Sequence, residues 1–436
     1  MLNFDTWRVN KMKVIIKGGQ TPKGIVKVSG AKNSATRLLA AACISDGEVI
    51  LENFPINLVD SQHKMRFLSN IGASITVDNK KESIVVSSKN LKCSELDVYD
   101  YPIRTTYLLV AGQIKKSGVA KIPYPGGCKI GSRGYDLHIK VWEWLGCKVT
   151  ELPDCILVEG EKFIGGTIKF PISTVGGTEN ALICGVIAEG KTEIINAYIT
   201  PEIEDLIDFL QRMGANITVN GNSNIVIEGV NYLKGVIKNV MYDRIEALTW
   251  LVYAVLARGE LVIENVPFSA MEVPLLHIKE MGIDYMSNSN SIYISPECLK
   301  NDQVESFELA CGAHPGIISD MQSFYTLLGI KAQGDSRIFD YRYPERIAYA
   351  KELQKLLTTP VVECDPGKIT TRGPGVFKSG EVTSTDLRGS MALIIAALCA
   401  EEGESVVYEA EMALRGYNNL AEKLKCLGVE IEVVGD

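Results

Sequence analysis

The chain has 436 residues, 46% of them hydrophobic and 22% charged, with a formal net charge of −8. That is ordinary globular composition at a length suited to two or three domains. The acidic balance excludes a general nucleic-acid or polyanion binder, so any anionic ligand needs a local cluster of cations.

In chain order, six segments repeat one pattern: an apolar helix-like run, a small turn with one glycine, then a strand. They read LLAAACISDGEVILENF, LLVAGQIKKSGVAKIPY, ALICGVIAEGKTEIINA, LVYAVLARGELVIENVP, SFYTLLGIKAQGDSRIFDY and LIIAALCAEEGESVVYEA. Their turn glycines, Gly47, Gly118, Gly190, Gly259, Gly334 and Gly403, lie 69–75 residues apart by subtraction. A second helix and strand follow in most units, as in MRFLSNIGASITV and FLQRMGANITV; the fifth reads LQKLLTTPVVE without the glycine. The first helix of each unit is apolar nearly all round, which predicts burial on every side. The second is amphipathic, and charges such as Lys64, Arg212 and Lys279 are expected to face water. Strands such as EVILENF and ELVIEN alternate, as in a sheet with one wet face. Each unit is thus strand–helix–strand–helix–strand, helices inside and sheet outside, and three units per globule make two similar α/β domains.

Charged loops interrupt this pattern. SGAKNS, residues 29–34, opens the first buried helix. Lys32 and Asn33 fall at its N-terminus, where free N–H groups and the helix dipole favour an anion; a plain start capped by Asn33 or Ser34 is the alternative. Arg104 begins the second buried helix. Residues 125–138, PGGCKIGSRGYDLH, set Cys128 among glycines with Arg133 and His138 beyond it. Such glycines suggest a mobile loop, and a thiol beside cations ionises more easily; an ordinary free cysteine in a surface turn is the other reading. TVGGTENA, residues 174–181, opens the third buried helix with Gly176 and Gly177, which permit close approach of a ligand to the backbone. Arg244 and Arg388 open the fourth and sixth. Asp320 lies at the start of the fifth, as a cap or as a base acting on a sugar hydroxyl. Arg342 and Arg415 occupy loops after the fifth- and sixth-unit strands, the position that Cys128 takes in the second unit.

The remaining composition is restrictive. Eleven cysteines are scattered in apolar runs such as AAACIS and ALICG, and no signal peptide is apparent. Buried thiols in a reducing cytoplasm are therefore expected, not a disulfide framework. The four histidines form no HExxH or Cys/His cluster, so no metal site is expected. No apolar run approaches the ~18 residues of a membrane span.

SGAKN, PGGCKIGSRGYDLH, the AHP…DMQ segment, TDLR and LRGY together resemble the UDP-N-acetylglucosamine enolpyruvyl transferases, from about Val14 to Val434. This is a branch of the superfamily that also contains the shikimate-pathway enzyme. The resemblance implies an inside-out α/β barrel fold of two domains, each of three units. One domain would span 32–241 and the other 1–31 with 242–436, and the active site would lie in the cleft between them. It also implies transfer of the enolpyruvyl group of phosphoenolpyruvate to the 3′-hydroxyl of UDP-N-acetylglucosamine, the first committed step of peptidoglycan synthesis, with no cofactor. By motif, Lys32, Asn33, Arg133, Arg342 and Arg415 would hold phosphoenolpyruvate. Arg104, Arg133, Gly134, Tyr135, Asp136, Leu137, Thr174, Val175, Gly176, Asp320, Ile338 and Arg388 would hold the nucleotide sugar. Lys32, Cys128, Asp320 and Arg415 would be catalytic, with Cys128 either the acid at C3 or an actor in product release, and alkylated by fosfomycin.

Three positions depart from the family pattern. FPINLVDS lacks a lysine usual there, Gly134 replaces a usual proline, and Arg37 stands where an apolar residue is common. The first two keep open a paralogue acting on another uridine nucleotide such as UMP. A non-catalytic nucleotide-sugar binder is the rival of another class.

Overall fold

The computed structural model describes residues 12–435 apart from 94, 125 and 127–133. Those residues divide into two compact units, one holding 30–126 and 134–241, the other 12–29 and 242–435. Each unit contains three separate sheets.

In the 30–241 unit, one sheet orders its strands Ile237–Asn239, Val49–Glu52, Ser83–Ser87 and Ser74–Asp78. A second runs Val119–Pro123, Cys155–Glu159 and Lys148–Glu151, and the third Asn216–Asn220, Asn224–Glu228, Lys191–Ala197 and Thr167–Thr174. The other unit repeats the design, with sheets centred on strands Met12–Lys17, Glu260–Glu264 and Ala332–Phe339.

The parallel pairs explain where the helices must lie, because parallel strands need a long crossover. Thr167–Thr174 pairs parallel with Lys191–Ala197, and the Val175–Gly185 helix joins them. Glu381–Thr383 pairs parallel with Glu404–Tyr408 through the Leu387–Leu398 helix. In two sheets the parallel partner is distant in sequence. Lys23–Lys27 lies beside Glu260–Glu264, and Ile237–Asn239 beside Val49–Glu52. These are the strands from which the chain passes from one unit to the other, after residues 29 and 241.

The crossover helices are buried all round, as their apolar composition predicts. Every residue of Leu387–Leu398 is buried, as are Arg244 to Val255 of the Arg244–Leu256 helix. Strands alternate: Leu261 and Ile263 of Glu260–Glu264 point into the core. Gly118 closes the Val110–Ser117 helix at φ 69° in the left-handed region, which glycine adopts without a Cβ penalty.

Three expectations change. Arg104 opens a 3₁₀ helix, Arg104–Leu109, with a non-helical Thr105, and the α-helix starts only at Val110. In the fifth unit the Gln322–Lys331 helix runs directly into the Ala332–Phe339 strand, so Gly334 lies within the strand and not in a turn. Lys64, expected at the wet face of its helix, is 1% exposed, whereas Arg212 and Lys279 do face solvent. The Lys64 ammonium reaches inward to donate to Thr105 O at 3.2 Å and to Oγ1 at 3.0 Å. Among the described residues, no helix is long and apolar enough to cross a membrane.

Candidate active site

The buried helices present cations at their N-terminal ends. Lys32 is the first residue of Lys32–Ala41, Arg104 of Arg104–Leu109 and Arg244 of Arg244–Leu256, and Arg388 is the second of Leu387–Leu398. A cation there opposes the helix dipole, and burying it costs more unless an anion compensates. Arg244 and Arg388 are nonetheless 2% and 1% exposed.

In the 30–241 unit, the Lys32–Ala41 helix has Ala31 as its N-cap with no side-chain cap bond. Neither Asn33 nor Ser34 caps it. Lys32 Nζ instead pairs with Asp60 Oδ2 at 2.9 Å. Arg37, one turn on, pairs with Glu179 and donates to the Asn33 carbonyl. Glu179 also accepts from the Tyr107 hydroxyl. One buried carboxylate therefore ties together three helices.

Arg104 Nη2 donates to the Gly134 carbonyl at 3.0 Å. A Cβ on Gly134 would collide with the Asp136 carboxylate. Tyr135 precedes the Asp136–Trp144 helix, which carries Leu137 and His138. His138 stacks on Tyr107 with centroids 3.6 Å apart, and burial, aided by Arg104, pushes its imidazole down to about 3. Thr174 caps the Val175–Gly185 helix by accepting from Gly177 N at 3.3 Å. Gly176 touches the stacked rings: a Cβ there would sit 2.9 Å from His138 Cε1 and 3.0 Å from the Tyr107 oxygen. Asn33 and Gly176 are thus linked through Arg37, Glu179, Tyr107 and His138, Arg104 acts on His138 while holding Gly134, and Lys32 pairs separately with Asp60. Cys128 and Arg133 lie outside the described residues.

In the 242–435 unit, Asp320 sits in the Ser319–Met321 turn that leads into Gln322–Lys331 and caps neither. Its Oδ1 accepts from Arg346 Nη1 at 2.8 Å, and its Oδ2 lies 4.0 Å from Arg388 Nε. The Asp320 side chain keeps 30% exposure, against 4% for Arg346 and 2% for Arg388. Arg388 is held by Asp243 at 3.7 Å and by the Tyr417 ring, 5.1 Å from the guanidinium carbon. Burial pushes the Asp243 carboxyl up against the pull of Arg388. Arg244 lies 3.5 Å from His314 Nδ1. Arg415 is buried and Arg342 exposed. Ile338 is 0% exposed in its strand, so its side chain belongs to the core.

The two clusters offer distinct chemistry. Cations at helix N-termini hold an anion, and a half-exposed carboxylate flanked by guanidiniums can accept a proton from a hydroxyl. The sequence reading missed Asp60, Glu179, Tyr107, Asp243 and Arg346. One signal was present for Glu179, a carboxylate two residues before the apolar run ALICG in a helix expected to be buried, where an acid is rare unless paired. Arg346 gave none; in YPERIAY it reads as a solvated charge.

Comparison with known proteins places the chain. The family described as EPSP synthase (3-phosphoshikimate 1-carboxyvinyltransferase) matches residues 16–424. A UDP-N-acetylglucosamine 1-carboxyvinyltransferase of Caldanaerobacter subterraneus is 35% identical over 421 residues, covering 97% of this chain and 99% of that protein. One of Listeria monocytogenes is 34% identical, covering 96% and 97%. Among solved structures, the enolpyruvyl transferase NikO from Streptomyces tendae superposes with a TM-score of 0.88 at 23% identity, covering 98% of this chain and 100% of that one. EPSP synthase from Acinetobacter baumannii superposes with a TM-score of 0.71 at 17% identity, covering 97% and 100%.

Proposed function

This chain belongs to the EPSP synthase family of carboxyvinyl transferases, and from that premise we propose that it moves the enolpyruvyl group of phosphoenolpyruvate to the 3′-hydroxyl of UDP-N-acetylglucosamine, releasing phosphate. The observation that carries the reading is the partly exposed Asp320 set between two buried guanidiniums, Arg346 and Arg388, the second of these at a helix start. Phosphoenolpyruvate carries close to three negative charges, and a protein of net charge −8 can hold it only with such concentrated cations. Relatives bearing the UDP-N-acetylglucosamine name over nearly the whole length support the acceptor.

In this reading Lys32, Asn33, Arg133, Arg342 and Arg415 hold phosphoenolpyruvate. Arg104, Arg133, Gly134, Tyr135, Asp136, Leu137, Thr174, Val175, Gly176, Ile338 and Arg388 form the nucleotide-sugar side. Addition places a proton on C3 while the acceptor oxygen bonds to C2. Asp320 takes the hydroxyl proton and offsets the positive charge that develops at C2. Elimination then removes a proton from C3 and expels phosphate, so the enol ether is restored on the acceptor. Cys128 acts at C3 or in product release. The reaction is the first committed step of peptidoglycan synthesis, in the cytoplasm.

The test is phosphate release measured with phosphoenolpyruvate and a panel of acceptors. Release with UDP-N-acetylglucosamine is expected. Release with UMP but none with UDP-N-acetylglucosamine overturns the acceptor, and release with neither favours a binder without turnover.

A further inference from the structure

Arg346 is the most tightly held charge near Asp320, and nothing in the mechanism above uses it. It lies in the turn before the Ala348–Leu353 helix and is 5% exposed. Its two terminal nitrogens part company: Nη1 donates to Asp320 Oδ1 and Nη2 to Asp386 Oδ1, each at 2.8 Å. Asp386 is the N-cap of the Leu387–Leu398 helix, accepting from Arg388 N at 3.2 Å and Gly389 N at 3.3 Å. Arg346 therefore joins Asp320 to the first turn of the helix that carries Arg388.

We propose that Arg346 is a positioning residue for the transfer, orienting the Asp320 carboxylate towards the acceptor hydroxyl and balancing its charge together with that of Asp386. The inference rests on reading Asp320 as the base.

Two features favour this over a purely structural ion pair. First, the bridge is asymmetric. Asp386 has a side chain 3% exposed, while Asp320 keeps 30%. The guanidinium thus reaches from a buried anchor to a carboxylate that solvent or substrate still touches. Second, one Asp320 oxygen is taken by Arg346, and the other faces Arg388 Nε, which has no hydrogen-bond partner among the described residues. The carboxylate is held in one rotation with Oδ2 directed to that side. Burial alone would draw the Arg346 proton off, but Asp386 and Asp320 more than offset it. The bridge thus stays charged while Asp320 gains and loses its proton. Among the described residues, other ionisable groups around it are Asp340, which accepts from Gln322 at 3.3 Å, Asp243 and Tyr417 against Arg388, and Tyr349 and Cys311 near Arg346. Burial pushes the tyrosines and the thiol up, so near neutral pH they supply no charge that replaces Arg346.

The experiment compares pH profiles of kcat for the wild-type enzyme, Arg346→Met and Arg346→Lys, with thermal melts and nucleotide binding measured alongside. Arg346→Met leaves two carboxylates with one cation fewer, so the site takes up a proton at higher pH. The acid limb of kcat is expected to rise by roughly 1–3 pH units, kcat at neutral pH to fall at least about tenfold, and activity to recover towards alkaline pH. Arg346→Lys keeps the charge without the two-armed geometry, so kcat falls with a smaller shift. A folded Arg346→Met with the wild-type acid limb overturns the proposal. If that variant does not fold, Arg346→Lys decides, and wild-type kcat and limb in it overturn the proposal. Asp320→Asn separates the two readings. If it turns over normally, the role of Asp320 fails; if it is inactive while the Arg346 variants are normal, only the positioning role fails.

Discussion

Lys32 Nζ lies 2.9 Å from Asp60 Oδ2, with side-chain exposures of 14% and 5%. The lysine that opens the first buried helix is thus anchored by the first turn of the next helix, Val59–Asn70. Lys64, one turn beyond Asp60, holds the residue after Arg104. A single amphipathic helix therefore holds Lys32 directly and the residue next to Arg104.

Burial draws the Lys64 ammonium down to about 7, Arg37 acts in the same direction, and Cys43 and Asp60 oppose it. The unfolded lysine titrates near 10.4, so between these limits the unfolded chain binds more protons and stability rises with pH. The penalty is complete below about 7 and fades as pH climbs towards 10.4. Denaturant melts at several pH values should show wild type gaining about 2 kcal/mol on Lys64→Met between pH 7 and 9. Parallel curves would show that Lys64 is charged throughout that range.

Glu179 is buried against Arg37, with side-chain exposures of 1% and 11%. Breaking one side of such a pair strands a charge and costs about 3–5 kcal/mol. Glu179→Gln should lose that much in a urea titration, and the double variant Arg37→Met with Glu179→Gln should recover part of it. Additive losses would remove the coupling.

Asp320→Asn should lower kcat by roughly 10²–10⁴-fold while nucleotide affinity, read by calorimetry, stays within a few fold. Unchanged turnover would take Asp320 out of the chemistry.

Fosfomycin should inactivate the enzyme with time and add covalent mass at Cys128, and Cys128→Ser should abolish the labelling. Burial pushes the Cys43 and Cys399 thiols up to about 12, so these two have little thiolate to react at neutral pH. Peptide mapping that finds the adduct elsewhere would refute the assignment.

The sixfold repeat, the helix-inside architecture and the cations at the helix starts were legible in the sequence. They follow from local rules: apolar periodicity reports burial, and a lysine or arginine beside a helix start is visible wherever it occurs. Partners were not legible. Asp60 for Lys32, Glu179 for Arg37, Asp243 for Arg388 and Arg346 for Asp320 are 28, 142, 145 and 26 positions apart by subtraction, and no spacing rule joins them. Lys64 shows why. By periodicity it belongs to a wet face, yet the neighbouring Thr105 turn covers that face and offers two oxygens, so the ammonium is buried. Which residue types stand at each helix start is a property of the chain alone. Which of them are desolvated and paired depends on what the fold brings against them, because burial and Coulomb energy depend on distance in space, not along the sequence.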